Sequence, residues 1–322
     1  MKKLIHILAI FTMLLTFFLI FVGALIKSTE AGLSVPDWPT TFGQNMFLFP
    51  YSSMVGGIFY EHSHRLIASL VGFCILLNTI LIQFSNFYKF VKIISIISLC
   101  AVITQGILGG LTVLYFLPAW LSASHGTLGQ TTFCLTIVLA IITSPKWTKE
   151  NSSKLNYKIK RLSFISVALV WFQLIIGAVV RHTESALVAL DFPKINNAWI
   201  PSLKDDAIEK INYERFVQNF EFILNLEPIT SGQLLIHFMH RSFGYIIFLF
   251  MVYYCFNLYK KSSFKTTPII LIVLIITQIA LGALTVLSKK EFIITSLHVS
   301  NGAAILGILV YLCLNINKSK LL

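Results

Sequence analysis

The stretch Tyr60-Glu61-His62-Ser63-His64-Arg65, followed at once by an apolar run from Leu66 to Ile82, decides how this chain is read. It sets a carboxylate, two imidazoles and a guanidinium at the mouth of a helix long enough to enter a bilayer. Ionisable groups are costly there and persist where they face a partner, a cavity or a bound ligand. Three further histidines, His125, His240 and His298, stand at comparable helix mouths.

Around that stretch, the 322 residues are 56% hydrophobic and only 12% charged. Such a composition defines an all-α integral membrane protein, because a soluble domain of this size has no place for so much apolar surface. Eight runs, near 4–26, 63–84, 92–115, 123–143, 161–180, 234–258, 267–287 and 294–314, have the length of membrane spans, roughly 18 to 25 residues. Lys2 and Lys3 before an apolar run also fit a secretory signal. However, the exit of that run, Gly23-Ala24-Leu25-Ile26-Lys27, recurs in mid-chain as Gly177-Ala178-Val179-Val180-Arg181, so the first run is expected to remain as a helix.

The net charge of +12 reports topology. With the N-terminus inside, the inner segments hold fifteen lysines and arginines and one acidic residue, Glu150, while the other twelve acidic residues fall in outer segments or helix mouths. That is the positive-inside pattern. It implies a multi-pass protein of the cell (inner) membrane with both termini cytoplasmic and contact with anionic lipid, and no nucleic-acid role. The five cysteines, Cys74, Cys100, Cys134, Cys255 and Cys313, lie inside apolar runs, and free thiols are expected.

Residues 1–150 and 155–322 read as two copies of one four-helix unit. Lys27-Ser28-Thr29-Glu30-Ala31 through Asp37-Trp38-Pro39 matches Arg181-His182-Thr183-Glu184-Ser185 through Asp191-Phe192-Pro193, with ten positions from basic residue to aspartate in both. His64-Arg65 answers His240-Arg241, and Gln105 with Gly109 answers Gln278 with Gly282. His125 and His298 each follow their glutamine by twenty positions. An even number of spans per copy makes the repeat parallel, two four-helix bundles side by side. The segment around 144–160 reads as the cytoplasmic linker. In the longer second outer loop, Asp205 is expected to cap a helix carrying Ile208, Ile211, Phe216, Val217 and Phe220, lying on the membrane surface or forming an ordered lid.

Seven of the eight histidines, all but His6, fall at or near the outer face. In a four-helix unit the second and fourth helices can each point one imidazole inward, and two facing imidazoles suit the axial positions of one haem iron. The candidate ligands are therefore His64 with His125 and His240 with His298. Arg65 and Arg241, beside the outer ligands, suit haem propionates. The glycines along these helices, Gly109 and Gly282 among them, are read chiefly as close helix packing. Three positions before the ligand the copies diverge, with Glu61 in the first and His237 in the second. A carboxylate beside a macrocycle can take protons or stabilise a developing cation. An imidazole orients a ligand or propionate instead. The first copy thus reads as the reactive site and the second as a cofactor site. A salt bridge from Glu61 to Arg65, at i and i+4, is the competing role for that carboxylate.

Together these residues resemble the haem A synthase family. The resemblance covers nearly the whole chain and rests on Glu61-x-x-His64-Arg65, His125-Gly126, His237-x-x-His240-Arg241, His298, the Gly32-Leu33-Ser34 to Asp37-Trp38-Pro39 loop and Arg181-His182-Thr183. It implies an oxidoreductase that oxidises the C8 methyl group of haem O to a formyl group, by successive hydroxylation and loss of water, giving haem A for aa3-type cytochrome oxidase. It implies haem O on His64 and His125 with Glu61 beside the reacting edge, and a resident haem b iron on His240 and His298. The implied partners are the haem O-producing farnesyltransferase, the oxidase assembly machinery and a quinone-linked redox partner. Some members carry a cysteine pair in the first outer loop. Val35 to Asn45 has none here, which excludes a thiol role for that loop. Two rival functions remain: a di-haem electron carrier linked to quinol, in which Glu61 is only structural, and a transporter, against which stands the scarcity of charge near the midplane. Surface aromatics suit lipid and a homo-oligomer contact equally.

Overall fold

The computed structural model describes residues 1–147, 156–217 and 227–318. Part of the expected linker and Phe220 of the second loop lie outside them. Eight helices are long and apolar enough to cross a membrane: α1 (Lys2–Ser28), α2 (Gly57–Gln83), α3 (Lys89–Leu114), α4 (Ala119–Ile142), α5 (Tyr157–His182), α7 (Ser231–Lys261), α8 (Thr266–Leu287) and α9 (Phe292–Asn317). A shorter helix, α6 (Asp205–Val217), lies in the second long loop. Among the described residues there is no strand beyond two isolated bridges, Thr41 with Gln44 and Ile195 with Ala198. Helix is what an apolar chain is left with in lipid, where every backbone N–H and C=O must be satisfied within its own segment.

All eight expected spans are present, and each begins one to six residues earlier than its apolar run. The reason is local. The polar turns that carry the histidines lower the hydropathy of the run but do not break the backbone ladder. Start signals sit upstream of them: Pro118 stands just before α4, a Thr230–Gln233 capping box opens α7, and Glu291 accepts the Ile294 N–H at the start of α9. The four ligand candidates are therefore not at the mouths. His64 lies seven residues after Gly57, His125 six after Ala119, His240 nine after Ser231 and His298 six after Phe292. That places them about one and a half to two and a half turns inside their helices.

Helices α1 to α4 close into one ring of neighbours, α1 on α2, α2 on α3, α3 on α4 and α4 back on α1. Helices α5, α7, α8 and α9 close into a second in the same order. The rings meet where α1 packs on α9, α4 on α5 and α4 on α9. Helix α9 is the most buried of the eight, and at Gly307 its backbone receives Ile137 and Phe133 of α4. The largest apolar cluster runs through this seam, from Phe133 and Ile137 to Met251, Tyr254, Leu306 and Leu309. Polar stitches inside the rings, Asn78 to Thr12 and Asn317 to Ser163, satisfy groups that lipid cannot.

Helix α6 begins at Asp205, so Asp205 lies in its first turn rather than capping it. Ile208 and Ile211 pack with Val188, Ala189, Ile195, Ile229 and Leu234. Asn212 grips both backbone groups of Ile229, and Arg215 donates to the carbonyl of Leu187. The segment is thus an ordered helix packed on the loop before it and on the start of α7. Phe216 and Val217 remain exposed.

Candidate functional site

Each of the four histidine rings rests on a glycine of the helix before it. A Cβ on Gly23 of α1 would meet His64 Cε1 at 3.0 Å, and one on Gly109 of α3 would meet His125 Cε1 at 3.0 Å. In the second ring the distances are 3.1 Å from Gly177 to His240 and 3.0 Å from Gly282 to His298. Only a residue without a side chain allows an imidazole so near the backbone. Gly109 and Gly282, read from the sequence chiefly as packing residues, and Gly23 and Gly177, read only as part of the repeat, are thus all seats for imidazoles.

At three of the seats a glutamine one turn before the glycine braces the next helix. Gln105 Nε2 donates to the carbonyl of His125 at 2.9 Å, Gln173 Nε2 to that of His240 at 2.9 Å, and Gln278 Nε2 to that of His298 at 3.1 Å. The same amides come within 3.2–3.5 Å of a ring nitrogen. At the fourth seat Leu19 occupies the equivalent position and His64 has no such brace. Gln173 was not found from the sequence. The signal was present, since Gln-x-x-x-Gly occurs at 105–109, 173–177 and 278–282.

The histidines fall into two pairs. His125 lies within electrostatic reach of His64, and His298 within reach of His240. Each pair joins helices on opposite corners of a ring, α2 with α4 and α7 with α9. Nδ1 of His64, His125 and His298 is buried without a hydrogen-bond partner. Orphaned ring nitrogens beside glycine-lined backbone, facing in pairs, fit a flat macrocycle held by two axial imidazoles.

The loops that follow α1 and α5 close the two rings alike. Asp37 accepts the N–H groups of Phe42 and Gly43, and Asp191 those of Asn196 and Asn197. Both loops contain a cis proline, Trp38-Pro39 and Phe192-Pro193. Arg65 Nη1 donates to the carbonyls of Asp37 and Thr40, and Arg241 Nη1 to those of Asp191 and Lys194. Burial alone works to raise the Asp37 carboxyl, but the hydrogen bonds from Gly43, Thr40 and Phe42 outweigh it and hold the group below its ordinary value.

The two rings part at the second guanidinium nitrogen. Arg65 Nη2 donates to the Glu61 carboxylate at 2.8 Å and to the carbonyl of Val35 at 2.7 Å. The other Glu61 oxygen accepts the Val35 N–H at 2.9 Å. Both side chains are almost buried, at 10% and 7% exposure, so this is an interior ion pair rather than a solvated one. In the second copy the His237 ring nitrogen Nδ1 lies 2.8 Å from the carbonyl of Ser185, and Arg241 Nη2 is buried with no partner. His62 takes no part in the interior. It is buried under the first loop against Thr41 and Phe49.

Between the rings, Arg181 Nη2 reaches back to the carbonyl of Ala24 and the Ser28 hydroxyl of α1, while Nη1 is buried and unpartnered. Glu184 pairs with Lys27 and, at 3.0 Å, with Lys290, tying the loop after α5 to both neighbours. Burial works to raise the Glu184 carboxyl, yet the hydrogen bonds and charges of Lys27 and Lys290 prevail and hold it low.

Fold and site define a class: a polytopic α-helical membrane protein with a pair of buried, glycine-seated histidines within each of two helix rings. Residues 6–310 match the family described as cytochrome oxidase assembly protein, and the chain belongs to that family. Curated relatives are named heme A synthase. That of Halalkalibacterium halodurans is 26% identical over 306 residues, 92% of each chain. The Macrococcus caseolyticus protein is 23% identical over 321 residues, 97% of each, and that of Shewanella oneidensis 24% identical over 319 residues, 94% of this chain and 93% of the relative. The resemblance read from the histidine motifs is therefore matched along the whole chain.

Proposed function

We propose that this protein is a haem A synthase, an oxidoreductase that converts haem O to haem A by oxidising the C8 methyl group to a formyl group. The observation that carries the reading is the pair of glycine-seated histidine pairs with a carboxylate beside only one of them. His64 and His125 would hold haem O as substrate in the first ring, residues 1–150. His240 and His298 would hold a resident haem b in the second, residues 155–322, and its iron would supply one-electron redox chemistry. The two rings would be the two copies of the repeat, with both termini cytoplasmic and the sites toward the outer face. Haem O would come from a farnesyltransferase, and electrons would pass to or from a quinone-linked partner.

The residues divide the work. The glycine seats and glutamine braces fix the imidazoles, which removes the need to order them during reaction. Glu61, one turn from His64, accepts from the Arg65 guanidinium on one oxygen and from the Val35 N–H on the other. A carboxylate so placed would stabilise positive charge developing at the reacting edge and would be the nearest group to take up a proton there. Arg241 and His237 stand at the matching place in the second ring and would flank its resident group.

One observation favours a second reading. The saturated Glu61–Arg65 pair is also what a di-haem b electron carrier with a purely structural Glu61 would show. Pigments extracted from protein made in cells that also make haem O separate the two. The synthase gives haem b with haem A or hydroxylated haem O, and Glu61→Ala gives accumulated haem O. Haem b alone at two per chain, in both proteins, overturns the synthase and leaves the carrier.

A further inference from the structure

The two rings use their outer arginines differently, and the residue one turn earlier is the cause. Arg65 has every Nη contact satisfied inside the protein: two loop carbonyls on Nη1, a third carbonyl and the Glu61 carboxylate on Nη2. Arg241 has only the two loop carbonyls on Nη1 and keeps Nη2 buried and unpartnered. His237, at the place of Glu61, spends Nδ1 on the carbonyl of Ser185 and brings no negative charge. A second unpartnered guanidinium nitrogen, Arg181 Nη1, is buried within electrostatic reach of His298. A buried N–H of a cation without an acceptor is costly, and an arriving carboxylate removes that cost by forming a charge-assisted hydrogen bond.

We propose that Glu61 and His237 set how long each ring keeps its porphyrin. Glu61 gives Arg65 an internal carboxylate, so the first ring offers no strong grip to a propionate and exchanges its occupant. His237 leaves Arg241 to grip a propionate, with the unpartnered nitrogen of Arg181 near His298 as a second acceptor-seeking group, so the second ring retains its occupant. The inference rests on reading both histidine pairs as haem sites and goes beyond it, because it assigns exchange and retention to one position in each copy. A substrate must leave as product, and a cofactor must stay.

The test exchanges the two residues and reads release, not conversion. Full-length protein in detergent is loaded with haem b, mixed with excess apomyoglobin, and followed by the rise of the myoglobin spectrum. Chains carrying His64→Ala or His240→Ala assign each phase to its ring. His237→Glu is expected to speed release from the second ring roughly 10- to 100-fold, the worth of one charge-assisted hydrogen bond. Glu61→His is expected to slow release from the first ring by a similar factor. Should Glu61→His fail to fold, Glu61→Gln keeps the shape, removes the charge and slows release in the same direction. Unchanged release in a folded His237→Glu protein, or in both Glu61 variants, overturns the proposal. Because haem O conversion is not read, failure of the synthase reading leaves this result standing, and the reverse also holds.

Discussion

The first ring and the second hold their histidines by the same device and surround them differently. In both, an imidazole rests on a glycine, an aspartate folds the loop after the first helix, and an arginine following a seated histidine pins that loop. The differences are few. Glu61 faces His237, Leu19 stands where three other helices carry glutamine, and Glu184 is clamped by two lysines. Among the described residues its counterpart Glu30 forms no ion pair. Shared parts set where a group can bind, while unshared parts set what happens to it. Two rings with a common frame thus differ at a handful of polar positions.

The strongest way to break this comparison is to remove ligands one ring at a time. His240→Ala or His298→Ala should empty the second ring while the first still binds, and His64→Ala the reverse. A haemochrome count per chain reads this, and loss of both pigments from one substitution would show that the rings are not separate sites. Filling the seats comes next. Gly23→Ala and Gly282→Ala each place a carbon 3.0 Å from an imidazole carbon, inside normal contact. Overpacking of this kind costs about 1–3 kcal/mol where the neighbour cannot yield. His298 is braced by Gln278 and His64 lacks a glutamine, so thermal unfolding should fall further for Gly282→Ala than for Gly23→Ala. Equal losses would mean the braces do not matter.

The smallest expected effect is a dependence on pH. Glu184 has its carboxyl held below the ordinary value of 4.5, so its pairing stabilises the fold fully above that pH and the gain is lost as pH falls through the lower folded value. Glu184→Gln should remove this part of the acid sensitivity, seen as a flatter melting temperature between about pH 5 and pH 3. The effect is modest because Glu184 is half exposed. If Glu30→Gln flattens the profile equally, the contrast between the two loops has no energetic content.

Much of the frame was legible in the chain because lipid imposes a length rule that apolar runs report directly. Helix starts were less legible. The turn from Gly57 to Ser63 is polar enough to look like loop, yet its backbone is helical. The pairing of Glu61 with Arg65 could be read from their i, i+4 spacing, whereas the Val35 N–H on the other oxygen could not, since it comes from a loop twenty-six residues away. The glycine seats were visible as glycines and invisible as seats. Nothing in Gly23 or Gly177 says which side chain of which helix will lie against it until the rings close.

Those seats carry one more consequence. A ring that rests on another side chain can be moved by repacking, but a ring that rests on bare backbone is located by the spacing of two helix axes. Each imidazole therefore works as a gauge of interhelical distance, fixed to within the tolerance of a van der Waals contact. Substitutions on the lipid-facing sides, at residues such as Leu14, Ile80 or Leu249, leave that gauge unread. A rigid tilt of α1 against α2, by contrast, would register at His64 before any other part of the first ring.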